Sequence, residues 1–333
     1  MILTVTLNAA IDRTVAVPNF RLGHRHRAVE ATTAAGGKGV NVARALKRLG
    51  TPVIATGLAG GATGNRILEL LAAESILNDF TRIEGESRTN LAVIDPTSNE
   101  QTEINERGPE VTEREVEAFL EKLFYLAQGA TLCVIAGSIP PGVDPDVYGQ
   151  IIRGLRERGV ISVLDYDGEP MRAGLRAEPA VVAPNVLEAE GAVGHEFEAN
   201  EDFVAGLEGL IEMGAGEAII TRDDGCVAIV GESSNGVPLG RHAGESPRGT
   251  RYAVEIEALE PVSTVGSGDA FLAGYVAARY EGSSPRDCLA YGVACGAEST
   301  QHFGAGVLDL REVERLVPKV DARALEDAAA TLS

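Results

Sequence analysis

Short apolar runs and amphipathic stretches alternate along most of this chain. Residues 1–7, 53–59, 131–136, 160–165, 180–183 and 217–221 read as short buried strands. Helical patterns lie between them, as in residues 113–127 and 202–213. This alternation predicts a doubly wound α/β sheet flanked by helices, with ligands at the carboxyl ends of the strands. Residues 217–230 predict the start of an antiparallel meander, turning at Asp223, Asp224 and Gly225.

Two stretches break the alternation. Residues 14–33 and 88–106 are rich in Thr, Val and polar residues at period two, which predicts exposed strands or loops. Residues 232–251 are polar and glycine-rich and predict a mobile surface insertion. The chain shows no internal repeat and no low-complexity tract.

Composition narrows the function classes. A chain of 333 residues with 44% hydrophobic content can bury a sizeable core. No apolar run has the length of a membrane span, and the first strand is too short for a signal peptide. Cys133, Cys226, Cys288 and Cys295 form no C-x-x-C pair, so neither a zinc site nor a disulfide framework is expected, and a reducing cytoplasm is the simplest setting. A net charge of −20 argues against nucleic acid as a partner. Lysine is scarce (Lys38, Lys47, Lys122 and Lys319) and arginine takes its place. With the excess of Asp and Glu, this suggests a halophilic surface whose self-repulsion a salty cytoplasm screens; an ordinary acidic protein has the same composition. Arg25, Arg27, Lys38, Arg88 and Arg107 fall in segments expected on the ligand side.

The segment 262–271 carries the clearest chemistry. Gly266, Ser267 and Gly268 open an Ala-rich stretch with helical spacing, and Asp269 follows at once. Glycines at the mouth of a helix leave bare N–H groups that can hold an anion. A carboxylate beside a held phosphate can accept the proton of a hydroxyl that attacks phosphorus. The same residues also serve as a helix cap with an acid matched to the helix dipole.

The rest of the chain bears on that choice. Residues 263–269 resemble the C-terminal signature D-T-x-G-A-G-D of the ribokinase-like (PfkB) carbohydrate kinases, with Ser263 for Asp and Ser267 for Ala. Gly36, Gly37 and Asn41, in residues 36–46, resemble the N-terminal signature, a Gly-Gly pair opening a helix that carries N-x-A. Residues 6–13 resemble T-L-N-P-A-x-D-R of the phosphosugar branch, with Ala9 for Pro. Residues 137–142 resemble its G-S-L-P-P-G. The resemblance covers essentially the whole chain.

It implies one kinase domain over 1–333, in which segments 12–33 and 87–107 form a small β-sheet lid over the sugar and a possible homodimer contact. The core is then 1–11, 34–86 and 108–333. It also implies roles. Asp269 is the catalytic base, and Gly266, Ser267 and Gly268 supply the anion hole. Asp12 orients sugar hydroxyls, Gly36 and Gly37 let backbone approach the sugar, and Asn41 donates to a hydroxyl. Lys38, Arg25, Arg88 and Ser138 complete the substrate side. Asn185 and Glu188, spaced N-x-x-E, hold Mg²⁺ through water. Thr221 and Gly225 line the nucleotide phosphates, and residues 294–300, with Ala294, wall the adenine; a plain core helix fits that segment nearly as well. Lys38 is not a P-loop lysine, because Gly39 rather than Ser or Thr follows it. The expected activity is ATP-dependent phosphorylation of a ketohexose monophosphate, fructose 1-phosphate first. Fructose 6-phosphate and tagatose 6-phosphate are close behind. The rivals are a kinase of an unphosphorylated substrate such as 2-keto-3-deoxygluconate, and a non-catalytic regulator.

Overall fold

The structure is a computed structural model that describes residues 1–98, 100–166, 168–231, 249–257 and 259–325. Strand β1 (Ile2–Thr6) is buried on both faces and anchors a 10-stranded sheet. The chain first builds β2 (Ala10–Ala16), β3 (Glu30–Gly36) and helix α1 (Lys38–Arg48), then β4 (Val53–Gly60), α2 (Gly61–Ala73) and β5 (Leu77–Ile83). After β6 (Arg88–Asp95), β7 (Glu100–Ile104) and α3 (Glu113–Ala127) come β8 (Leu132–Ala136), α4 (Val147–Glu157), β9 (Ile161–Asp165), α5 (Gly168–Arg176) and β10 (Val181–Val182). The rest is α6 (Val186–Val193), α7 (Asn200–Glu212), β11 (Glu217–Arg222), β12 (Gly225–Val230), β13 (Thr250–Glu255), α8 (Ser267–Tyr280), α9 (Pro285–Ser299), α10 (Leu310–Leu316) and β14 (Asp321–Ala324).

The large sheet runs β14-β13-β12-β11-β10-β9-β8-β1-β4-β5. It is parallel from β5 to β11 and antiparallel beyond. The parallel strands are nearly continuous apolar runs because helices cover both faces. One core lies under α1, α2, α8 and α9. The other lies under α3 to α7. From β1 the chain winds outward through β4 and β5, then returns to add β8 on the other side. The crevice at the carboxyl ends of β1 and β8 is therefore a topological switch point, where such sheets bind ligands.

A separate sheet, β3-β2-β6-β7, grows directly from the end of β1. Its β2 and β3 begin and end further out in sequence than the segment 12–33 suggests, because Ala10 pairs with Gly36 and Asp12 with Ala34. The meander at residues 217–230 forms as expected, with Arg222 opposite Gly225. Of the polar stretch 232–251, residues 232–248 lie outside the described residues, and Thr250 and Arg251 open β13. All four cysteines are free and buried. Among the described residues, no helix is long and apolar enough to cross a membrane.

Candidate active site

Helix α8 begins in the crevice. Gly266 caps it in the left-handed conformation, φ 78°. A Cβ there would also lie 2.5 Å from the Cβ of Ala305, so a side chain is excluded twice over. Nothing stands within 4 Å of a Cβ at Gly268, so that residue faces open space. The amides of Gly268 and Asp269 find no backbone acceptor among the described residues, whereas the Ser267 amide donates to Thr264 O at 3.3 Å. The Gly266 amide likewise finds no backbone acceptor among the described residues, so the amides left open at this mouth are those of Gly266, Gly268 and Asp269, and of the expected three only Ser267 is spent.

Asp269 is 5% exposed and accepts from Asn41 Nδ2 at 2.8 Å. Burial pushes its pKa up to about 7; Asp165 and Asp12 add to the rise, while Lys38 and the Asn41 hydrogen bond oppose it. A carboxyl poised near neutral pH is suited to take a proton and give it up again.

Long-range partners surround the first glycine motif. A Cβ on Gly36 would fall 2.0 Å from Asp12 Oδ2, and one on Gly39 would fall 2.5 Å from Thr6 Oγ1. Gly36 therefore makes room for the Asp12 carboxylate. Gly37 caps α1 at φ 105°. Asn41 turns one Nδ2 hydrogen to Asp269. Lys38 Nζ bridges Asp165 Oδ1 and Glu188 Oε1, each at 3.0 Å. Burial works against its charge, but the carboxylates of Asp165, Glu188 and Asp269 outweigh it and keep Lys38 protonated. Asp165 was not singled out from sequence. Its signal is an acid closing an apolar strand at the switch-point end.

The small sheet supplies the other wall. Asp12 Oδ1 accepts from Asn90 Nδ2 at 2.8 Å, and burial raises its proton affinity against that hydrogen bond. Half-buried Arg88 donates to Asn8 O at 3.1 Å and Glu106 O at 2.9 Å. Asn8 Nδ2 donates to Ser138 Oγ at 3.1 Å and Arg107 O at 2.9 Å, which joins the β1 and β8 ends. The Oδ1 atoms of Asn8 and Asn90 are buried without a hydrogen-bond partner. Two orphaned acceptors beside Asp12 and Arg88 suit a polyhydroxylated ligand. Arg25 is not brought here. It is exposed in the loop beyond Ala16, while the site lies at the Ala10 end of β2, about 20 Å away at the rise of a strand.

On the third side, Asn185 and Glu188 form a capping box on α6: Asn185 Oδ1 accepts from Glu188 N at 2.9 Å and Glu188 Oε2 from Asn185 N at 3.0 Å. The N-x-x-E spacing is first of all a helix cap. Among the described residues no group of three metal-ligating side chains converges. The residues present fit only a magnesium ion that arrives on a nucleotide and keeps its waters, with the remaining lone pairs of Glu188 beside it. Asn185→Ala should accordingly lower stability by about 0.5–2 kcal/mol in denaturant unfolding without any Mg²⁺; an unchanged midpoint would deny the cap. Thr221 pairs with Asn185 and donates its amide to Pro184 O at 3.0 Å, so it sits at this wall. At Gly225, φ 152°, a Cβ would lie 1.9 Å from Val254 O, so its glycine serves the approach of β13. Ala294 is 0% exposed, inside the α8–α9 packing, as a plain core helix would have it.

Residues 3–311 match the family model described as pfkB family carbohydrate kinase. A 1-phosphofructokinase of Borreliella burgdorferi is 30% identical over 321 residues, covering 96% of this chain and 97% of that one. A protein of Thermotoga maritima named a possible 1-phosphofructokinase superposes with a TM-score of 0.85 at 27% identity, covering 98% of this chain and 100% of its own. Phosphofructokinase-2 of Escherichia coli, solved with substrates and products, superposes at 0.84 with 26% identity, covering 95% and 98%.

Proposed function

This chain belongs to the pfkB family of carbohydrate kinases, and we propose that it transfers the γ-phosphoryl group of ATP to the free primary hydroxyl of a ketohexose monophosphate. Fructose 1-phosphate, giving fructose 1,6-bisphosphate, is the first choice, ahead of fructose 6-phosphate and tagatose 6-phosphate. The observation that carries this reading is the buried Asp269, held at a pKa of about 7 beside the open amides of Gly266, Gly268 and Asp269 at the mouth of α8. The name of the Borreliella relative supports the choice of sugar.

Asp12 and the unpaired Asn8 and Asn90 acceptors receive the sugar hydroxyls and orient the ring. Arg88 meets the sugar's phosphate. Asp269 takes the proton of the attacking hydroxyl onto its carboxylate, and the Gly268 and Asp269 amides face the phosphoryl oxygens where charge builds up. Magnesium, when bound to the nucleotide, would neutralise its phosphates, with Glu188 holding the metal's waters. Lys38 offsets the charge of Asp165 and Glu188, so that a net anionic chain still admits an anionic ligand. The small sheet acts as the lid that excludes water from the transfer. The face it shares with Asp12 continues outward through Thr14, Ala16, Ala92 and Ile94, all half-buried and uncharged, and is the surface through which a second copy would pair.

ATP consumption across ketohexose monophosphates, free fructose, ribose and 2-keto-3-deoxygluconate tests the reading. Turnover is expected with the monophosphates, highest for fructose 1-phosphate. A preference for a free sugar or acid overturns the phosphosugar assignment, and absence of turnover with every substrate leaves a regulator built on the kinase scaffold.

A further inference from the structure

The chemistry above leaves Arg44 unexplained. It lies in α1, is 5% exposed, and has an acceptor for each of the five N–H groups a guanidinium carries. Nε donates to Glu74 Oε2 at 2.5 Å, and Nη2 to Glu74 Oε1 at 3.0 Å and Ala35 O at 2.6 Å. Nη1 donates to Asn41 Oδ1 at 3.1 Å and Ala305 O at 3.2 Å. Glu74 closes α2, Ala35 lies at the base of the small sheet, and Ala305 abuts Gly266. Neutralising a buried charge needs only Glu74. The other acceptors join the sugar-side sheet to the two ends of the catalytic motif.

Arginine has no acceptor, so Asn41 must turn Oδ1 toward it, which leaves Nδ2 for Asp269. We propose that Arg44 is a positioning residue for the transfer: it fixes the Asn41 carboxamide against Asp269 and ties that pair to the small sheet through Ala35 O, so that the seating of the sugar-side sheet sets the orientation of the proton acceptor. The inference rests on Asp269 being that acceptor. Without Arg44 the Asn41 Oδ1 loses the donor that holds it, and it can turn to face a protonated Asp269. An acceptor there favours the protonated acid. Lys38 on α1, Asp165 at the end of β9 and Asp12 on β2, the charged groups facing Asp269, stay as they are.

Arg44→Lys keeps the charge but has too few donors to reach every acceptor. It should lower kcat by about tenfold with the KM for ATP unchanged, and move the acid limb of the pH–rate profile upward by on the order of one pH unit. In an Asn41→Ala background the same substitution should change kcat by less than about twofold, because the coupled element is gone. Parental kcat and midpoint in Arg44→Lys, or an undiminished loss in the Asn41→Ala background, overturns the proposal. Should Arg44→Lys not fold, Glu74→Gln, which loosens the same guanidinium, is read by the same criteria. A second readout is independent of turnover: the pH above which the melting advantage of Asp269→Asn over its Asp269 counterpart stops growing reports the proton affinity of Asp269 in the folded chain. That pH should rise when Arg44→Lys is added. If no substrate in the panel turns over but this window moves, the functional reading fails and the positioning stands. If the enzyme turns over but the window is unmoved, the positioning fails.

Discussion

Asp269→Asn is expected to lower kcat by about 10²–10⁴-fold, the usual loss on removing a general base, with little change in either Michaelis constant. The same substitution should make the protein more stable above neutral pH. The Asp269 pKa is about 7 in the folded chain against an ordinary value of 3.8. Between those values the folded state holds a proton that the unfolded state has released. The contribution of Asp269 to stability therefore falls as pH rises through that window and stays low above it. The folded carboxylate is disfavoured by on the order of 4 kcal/mol at the upper end. An asparagine keeps the hydrogen bond from Asn41 and never has to ionise. Thermal melts of the two proteins from pH 4 to 8 should thus diverge with rising pH, the parent falling behind, while the parent's kcat climbs toward a plateau above pH 7. Near-parental kcat in the variant, or a melting difference independent of pH, would sink the role assigned to this carboxyl.

The second large effect belongs to Arg88. On a chain of net charge −20, long-range attraction cannot gather an anionic sugar, so a local cation must. Arg88 is half-buried beside Asp12, with its Nε and Nη1 spent on the carbonyls of Asn8 and Glu106. Those bonds aim the guanidinium and leave Nη2 for a phosphate. A charged hydrogen bond to phosphate is worth roughly 1.5–3 kcal/mol. Arg88→Ala should raise the KM for the phosphosugar by about 10–100-fold and leave that for ATP in place. A selective loss of ATP affinity would show that the sugar and nucleotide walls have been exchanged.

How much of this was legible beforehand depends on the range of the interaction. The parallel strands, α3, the meander turn and the glycine mouth of α8 were readable because periodicity and glycine placement act within a few residues. So was Asp269 as a candidate, since its place in a first helical turn is local. The partners that sequence reasoning missed are all long-range. Asn41 meets Asp269 across 228 positions of sequence, and Lys38 meets Asp165 and Glu188 across 127 and 150. From sequence alone these were an amide and a cation free to touch a sugar. Arg25 and Arg88 were equivalent basic residues in polar strands until the register of β2 with β6 put one beside Asp12 and left the other at the far end of the loop.

What the sequence by itself determined is the order of elements, the class of fold and the family, together with the residue types that could do acid–base and phosphate chemistry. Backbone propensity, burial period and motif spacing are properties of neighbouring residues and survive without a fold. What only the tertiary structure decided is which of those residues act and in what state. Hydrogen-bond saturation, as at Arg44, needs acceptors from separate elements. The proton affinity of Asp269 is set by loss of water and by charges on three other elements, α1, β2 and β9. Desolvation and Coulomb interaction depend on distance in space, which no local pattern along the chain encodes.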